Sequence, residues 1–388
     1  MTDRPLNRDA QAAERPTIAQ VQPWLAAEEE AAVAAVLRSG WLTEGPLTRA
    51  FSERLNLLTG APYGVFAPNG TLALTLGLLA LGIGAGDEVL VPDITFAGSA
   101  TAVVLTGATP VFVDVEEESF QFDAEAARRR VTSRTRAVMP VHLYGSPCDM
   151  HAVGQFAVEH GLRVIEDAAQ GIAVHFEGRH VGAIGDIGCF SFFADKTITT
   201  GEGGYVTCRD PAIYERLRLL RNQGRLDRGS FVHPAIGFNF RITDLQAAIG
   251  LAQLDRLETI VTRKREIHAR YVDRLRDVPQ LRFLARHPMG THVPFRVVLL
   301  AERAHALMTW LNEHHVQSRS FFHPLHSQPC FADHPDARGA FPVADRGYAD
   351  GLCLPVHPML TDQDVDHVCS AIKAFYAECS EKEANLTC

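Results

Sequence analysis

Up to about Cys208, short apolar runs rich in β-branched residues alternate with helical stretches. Pro23 to Leu37 is dominated by Ala, Glu, Leu and Val and predicts a helix closed by Ser39-Gly40. Thr71 to Leu81 predicts an apolar helix, and Phe96 to Leu105, Asp123 to Val131 and Asp149 to Glu159 predict three more. Between them Glu88–Pro92, Pro110–Asp114, Ala137–Leu143, Leu162–Ile165, Asp186–Phe193 and Gly204–Cys208 read as strands. Tyr63 to Pro68 is aromatic but irregular, with no element assigned. From Asp244 a long helix is predicted by Leu245, Ala248, Leu251, Leu254 and Leu257. Beyond it the texture changes. Strand-like runs at Leu281–Leu284, Phe295–Leu300 and Val316–Phe322 sit among helices such as Arg303–His314 and Asp362–Ala377.

Strands alternating with helices imply βαβ units and a mostly parallel sheet. Several of the strands are unbroken apolar runs, as expected when helices cover both faces. The fold class is therefore α/β. The expected organisation is an arm over residues 1–16, a large α/β domain over 17–250 and a smaller C-terminal α+β domain over 251–388, with Asp244–Leu257 as the bridge.

The chain has 388 residues, 21% of them charged and 46% hydrophobic, with a formal net charge of −9. That is a globular composition, and the acidic balance argues against nucleic acid as the main partner. No stretch has the ~20 apolar residues of a membrane span. Met1 to Arg15 is polar, without the apolar core of a secretory signal, so a loose arm and a cytoplasmic setting are expected. Eight scattered cysteines, none in a CxxC pair, read as small buried thiols.

In open α/β sheets a ligand sits beyond the carboxyl ends of the strands, so the residues following each strand carry the chemistry. Asn69-Gly70-Thr71 opens a helix, and an N-terminus presents free N–H groups to a phosphate; read alone such a stretch is more often a plain cap. Phe96, after the strand at Val91, could stack on a planar ring or belong to a core. The strand ending at Ile165 runs into Glu166-Asp167-Ala168-Ala169-Gln170. Two adjacent acids point to opposite faces, so only one need face the site. Lys196 lies between an apolar strand and Gly201-Glu202-Gly203-Gly204, and a confined lysine becomes a nucleophilic amine. Ser191 could donate to a phosphate. A lysine amine, a strand-end acid, a phosphate cup and an aromatic lid together describe a pyridoxal phosphate site.

At this point the chain resembles the DegT/DnrJ/StrS sugar aminotransferases of pyridoxal phosphate fold type I, the aspartate aminotransferase-like fold. The resemblance runs from about Ile18 to Phe375. It is carried by SGWLTEGP (39–46), PNGTLAL (68–74), GDEVLVPDITFAGSA (86–100), VIEDAAQ (164–170), GDIGCFSFFADKTITTGEGGYV (185–206), LLRNQGR (219–225) and GFNFRITDLQAAIGLAQL (237–254). Within the family, TITTGEGG (197–204), LLRNQG (219–224), HPAIGFNFRITDLQAAIG (233–250) and FFHPLHSQP (321–329) look most like the perosamine synthase branch.

The resemblance implies that Lys196 is the Schiff-base lysine, that Asp167 binds the pyridine nitrogen, and that Gln170 lies near the ring's phenolic oxygen. It implies Gly70, Thr71 and Ser191 at the phosphate and Phe96 on the ring. Asn239 would reach the phosphate of a neighbouring subunit, making the unit a homodimer with shared sites. The implied reaction takes a nucleotide-linked 4-keto-6-deoxy sugar and L-glutamate to the 4-amino sugar, with pyridoxamine phosphate as the intermediate form of the cofactor; an aminotransferase on a UDP- or dTDP-linked 4-keto or 3-keto sugar is the alternative, and a non-catalytic regulator of the same fold a more remote one. Thr43, Tyr144, Arg319 and His323 are substrate-side candidates, with His326 beside them; no metal is expected. Asp195 departs from the small or amide residue expected before the lysine.

Overall fold

The computed structural model describes residues 16–225, 229 and 231–386; the expected arm, but for its last residue, lies outside them. In chain order the strands are β1 (Tyr63–Ala67), β2 (Glu88–Pro92), β3 (Thr109–Val113), β4 (Thr135–Val138), β5 (Arg163–Asp167), β6 (His175–Phe176) and β7 (Arg179–His180). They continue with β8 (Ile187–Ser191), β9 (Gly204–Cys208), β10 (Leu281–Phe283), β11 (Val297–Ala301), β12 (Arg319–Ser320) and β13 (Gly351–Leu354). Seven form one sheet in the order β1-β9-β8-β5-β4-β2-β3, four form a second in the order β10-β11-β13-β12, and β6 pairs with β7.

In the large sheet only β9 runs against its neighbours. The reason is local. A parallel return needs a crossover, usually helical, whereas the chain between Ser191 and Gly204 folds back on itself without a helix. Residues along β2 divide between the two faces. Val89 and Val91 join a core with Leu76, Leu78 and Phe112. Leu90 joins another with Phe51, Val138, Phe156 and Phe190. Each such fully buried side chain contributes about 1.5–3 kcal/mol. A third core, with Ile267, Tyr271, Leu307, Leu311, Leu352 and Val365, surrounds the small sheet. Ile18 belongs to it, and its N–H donates to the His315 carbonyl at 2.8 Å.

Several elements differ from the sequence reading. Tyr63–Ala67 is a regular edge strand; Gly64 interrupts its pattern because a Cβ there would lie 2.2 Å from the Tyr205 hydroxyl. Helices at Pro46–Thr59, Pro211–Arg221 and Pro342–Asp350 add to the expected set, and each opens on a proline, the residue suited to a first helical turn. The helix from Asp244 ends at Asp255, and a second runs from Leu257 to Leu275. The strand expected over Val316–Phe322 shrinks to Arg319–Ser320, because Phe321 and Phe322 leave the sheet to pack on Tyr144. Cys148, Cys189, Cys208, Cys353 and Cys369 are buried free thiols as expected, but Cys330 is exposed; Cys388 lies outside the described residues.

Candidate active site

Strands β1, β2, β5 and β8 run in one direction, so their carboxyl ends share one edge of the sheet; β5 and β8 end in the selected Asp167 and Ser191, and Gly70 and Phe96 follow β1 and β2 within four residues. Beyond β8 the chain from Phe192 to Gly203 is fastened by its own hydrogen bonds. Phe192 N–H donates to the Gly203 carbonyl (2.8 Å), Thr200 N–H and the Thr199 hydroxyl donate to the Phe192 carbonyl (both 3.0 Å), and Gly201 N–H donates to Thr199 Oγ1 (2.8 Å). Gly201 takes a φ of 79°, which suits glycine. This loop holds Lys196, whose side chain is 14% exposed. Its Nζ lies 4.5 Å from the centre of the Phe295 ring and 3.8 Å from Asp195 Oδ1. Burial pulls the amine below the ordinary lysine range. Asp195 and Asp167 oppose that pull and Arg296 adds to it.

At the end of β5 the two acids face opposite ways. Glu166 accepts from His142 Nε2 (2.9 Å) and from the N–H groups of Gly182, Ile184 and Gly185 (each 2.7 Å), a purely internal set of partners. Asp167 accepts from the Ser99 hydroxyl at Oδ2 (2.7 Å) and from Ala169 N–H at Oδ1 (3.0 Å). Ser99 in turn lies 3.1 Å from the Thr95 hydroxyl. Nothing in the sequence singled out Ser99; the packing of helix Gly98–Leu105 against helix Gly70–Ala80 and strands β2 and β3 brings it to Asp167. Gln170 accepts from Tyr144 N–H through Oε1 (2.6 Å), which fixes which end of its amide remains for a ligand. Tyr144 itself has a φ of 57°, uncommon for a tyrosine; its ring stacks on Phe322 at 5.6 Å, and its hydroxyl accepts from Phe322 N–H (3.2 Å).

After β1, Asn69 caps helix Gly70–Ala80 by accepting from Leu72 N–H at 2.9 Å. Gly70 lies against Ser191: a Cβ on it would sit 2.8 Å from Ser191 Cβ, and one on Gly98 would sit 2.7 Å from Thr71 Oγ1. The helix terminus, Ser191 and Thr71 thus close around a cradle that side chains would fill. Phe96, beyond β2, is 60% exposed and meets Phe322 edge-on at 6.1 Å. A large aromatic left exposed at the strand ends is suited to covering a flat ligand. A buried amine, a buried carboxylate held by neutral donors, a helix N-terminus with a hydroxyl beside it and a bare aromatic face fit a phosphorylated pyridine aldehyde.

The remaining candidates are more scattered. Asn239 is exposed, accepts from Arg241 Nε (2.6 Å) and lines a surface depression with residues 233–237. Thr43 and Arg319 are exposed, Thr43 accepting from Asp244 N–H (3.3 Å) and Arg319 standing opposite Cys353 in the small sheet. His323 packs on Tyr348 at 4.6 Å, with Ser327 Oγ 3.1 Å from its Nδ1. His326 is buried and holds Asp93. Its Nδ1 lies 2.6 Å from Oδ2, and its N–H donates to Oδ1 at 2.8 Å. Burial pushes the Asp93 carboxyl up to about 6 against the pull of these bonds. This pair pins Phe321-Phe322-His323 to the end of β2. The roles of Asp93, Arg296, Phe295 and Phe322 are not read from the sequence, since they come from contacts between distant segments.

The sequence matches the DegT/DnrJ/EryC1/StrS aminotransferase family over residues 23–373. The GDP-perosamine synthase of Escherichia coli O157:H7 is 37% identical, over 92% of this chain and 98% of that protein. The UDP-N-acetyl-3-dehydro-alpha-D-glucosamine 3-aminotransferase of Acidithiobacillus ferrooxidans is also 37% identical, over 84% and 87%. Among solved structures, DesV of S. venezuelae superposes with a TM-score of 0.89 at 34% identity, covering 93% of this chain and 99% of that one. A sugar aminotransferase from Streptococcus pneumoniae has been solved in PLP and PMP forms; at 27% identity these give TM-scores of 0.88 and 0.86, each covering 92% and 98%. The chain therefore belongs to the DegT/DnrJ/EryC1/StrS aminotransferase family, and is a pyridoxal phosphate-dependent sugar aminotransferase of the α/β fold type I.

Proposed function

We propose that the chain converts a nucleotide-linked 4-keto-6-deoxy sugar to its 4-amino product with L-glutamate as donor, and that the sugar is GDP-4-keto-6-deoxy-mannose, giving GDP-perosamine. The observation that carries this reading is full-length similarity to a GDP-perosamine synthase, together with the site's complete set of cofactor-type groups.

In this reading Gly70 and Thr71 N–H groups and Ser191 Oγ bind the phosphate at the cradle where a Cβ on Gly70 has no room. Asp167, oriented by Ser99 and Ala169, holds the proton of the ring nitrogen. Gln170, its oxygen taken by Tyr144 N–H, turns its amide NH2 to the ring's phenolic oxygen. Phe96 stacks on the ring and excludes water. Bound pyridoxal phosphate supplies an aldehyde that carries the amino group and a ring that accepts electrons. Lys196 Nζ would hold the cofactor, and as a free amine it would take a proton from the carbon bearing the donor's amino group and return one to the carbon that receives that group. Burial disfavours the ammonium and so favours the neutral amine, the form that acts as a base.

Thr43, Tyr144, Arg319 and His323 are the substrate-side residues of this proposal. Asn239, exposed on a surface that also bares Phe231, Val232 and Ile236, supports a homodimer in which it reaches the partner's phosphate site. The reaction is placed in the cytoplasm, a setting that suits the buried free thiols. No described helix is long and apolar enough to cross a membrane.

Similarity to a UDP-linked 3-aminotransferase supports a second reading, in which the nucleotide or the carbonyl position differs. A panel of GDP-, UDP- and dTDP-linked 4-keto and 3-keto sugars with glutamate, read by mass for ketone-to-amine exchange, separates the two. Preference for GDP-4-keto-6-deoxy-mannose is expected; equal rates with the other nucleotides would overturn it. The wild type should be yellow, and Lys196→Ala should lose both the colour and turnover.

A further inference from the structure

Asp195 stands where the resemblance leads one to expect a small or amide residue, and the structure gives it defined surroundings. Oδ2 accepts from Arg296 Nη2 at 3.1 Å. Oδ1 is buried, has no hydrogen-bond partner among the described residues, and faces Lys196 Nζ at 3.8 Å. Arg296 is 6% exposed, lies 4.9 Å from the Phe295 ring that also covers Lys196, and donates through Nη1 to Gln20 at 3.2 Å once that amide is turned to satisfy both ends. One carboxylate is thus divided between a fixed guanidinium and the reactive amine.

We infer that Asp195 and Arg296 are paired positioning residues for Lys196: the carboxylate supplies the counter-charge of the Lys196 ammonium whenever the amine is free, and the guanidinium limits how strongly it does so. The inference rests on the reading of Lys196 as the cofactor-binding amine. In the interior a neighbouring carboxylate favours the protonated amine, and a neighbouring guanidinium disfavours it. The charged and titratable groups around Lys196 come from every element packed there. Asp195 is on its own loop, Asp167 at the end of β5, Arg296 before β11, Lys264 on helix Leu257–Leu275 and His357 after β13. Lys264 and His357 line the same enclosed space as Lys196 and Asp195. A released lysine without a counter-charge in this pocket would give up its proton to bulk water more readily; Asp195 lets it keep the proton between removal and return.

The two residues act with opposite sign, which a merely structural role would not reproduce. The test follows the uptake of pyridoxal phosphate by the full-length apoenzyme across pH, read as visible absorbance rather than turnover, since capture needs the unprotonated amine. Asp195→Asn should move the midpoint of the rate profile down by about one to three pH units. Arg296→Gln should move it up by about one unit, because Asp195 then acts on Lys196 alone. Asp195→Glu and Arg296→Lys keep the charges and should return the midpoint towards the wild-type value. If Arg296→Gln does not fold, Asp195→Asn and its glutamate rescue decide the matter. Unmoved midpoints, or shifts in the same direction, overturn the inference while leaving Lys196 as the cofactor lysine. A wild-type chain that takes up no pyridoxal phosphate overturns both.

Discussion

Lys264 offers a stability test worked directly from its surroundings. Its side chain lies on helix Leu257–Leu275, is 4% exposed, and lines the enclosed space behind Lys196. Burial pulls its pKa from an ordinary 10.5 to about 8, with Asp195 opposing and Arg296 adding to the fall. The folded chain therefore binds this proton less tightly than the unfolded chain. Below pH 8 the native state carries a desolvated ammonium, and a difference of about 2.5 units corresponds to about 3 kcal/mol of destabilisation. That cost shrinks as pH rises from 8 towards 10.5, where the amine is neutral in both states. Lys264→Met keeps the apolar stem and removes the charge. It should stabilise the apoenzyme by up to about 3 kcal/mol at pH 7, and the gap should close by pH 10.5. Urea unfolding of wild type and variant at the two pH values measures this. A variant less stable than wild type at pH 7, or a gap that does not change with pH, would refute the reasoning.

Further outcomes follow from other contacts. Gly70→Ala places a methyl 2.8 Å from Ser191 Cβ, so uptake of pyridoxal phosphate should weaken at least tenfold by spectrophotometric titration and the chain should lose about 1–3 kcal/mol of stability. Asp167→Asn keeps the Ser99 and Ala169 contacts in reach but removes the carboxylate; turnover should fall by about a hundredfold or more, while circular dichroism stays native. His326→Leu strands the Asp93 carboxylate in a fully buried site and should cost about 3–5 kcal/mol of stability, whereas Asp93→Leu combined with it should recover much of that loss in the same unfolding assay.

Much of the site is legible in the sequence because strand-end chemistry is local. Lys196 after an apolar strand, Asp167 after another, and Asn69-Gly70-Thr71 at a helix start each carry their signal within a few residues. The α/β alternation is equally local, since both-face burial writes itself as unbroken apolar runs such as Val89-Leu90-Val91. Edge strand β1 is hidden by Gly64, whose reason is the Tyr205 ring on another strand.

The groups that tune the site belong to the tertiary structure. Ser99 meets Asp167 across 68 positions of sequence, Arg296 meets Asp195 across 101, and His326 meets Asp93 across 233. Propensity and spacing describe what a residue does to its neighbours along the chain. They do not say which distant charge will share its pocket, because that depends on how the small sheet and its loops close over the strand ends. The sequence determined the kind of chemistry. The packing of remote segments decided which charges and hydroxyls surround Lys196, Asp167 and Asp93.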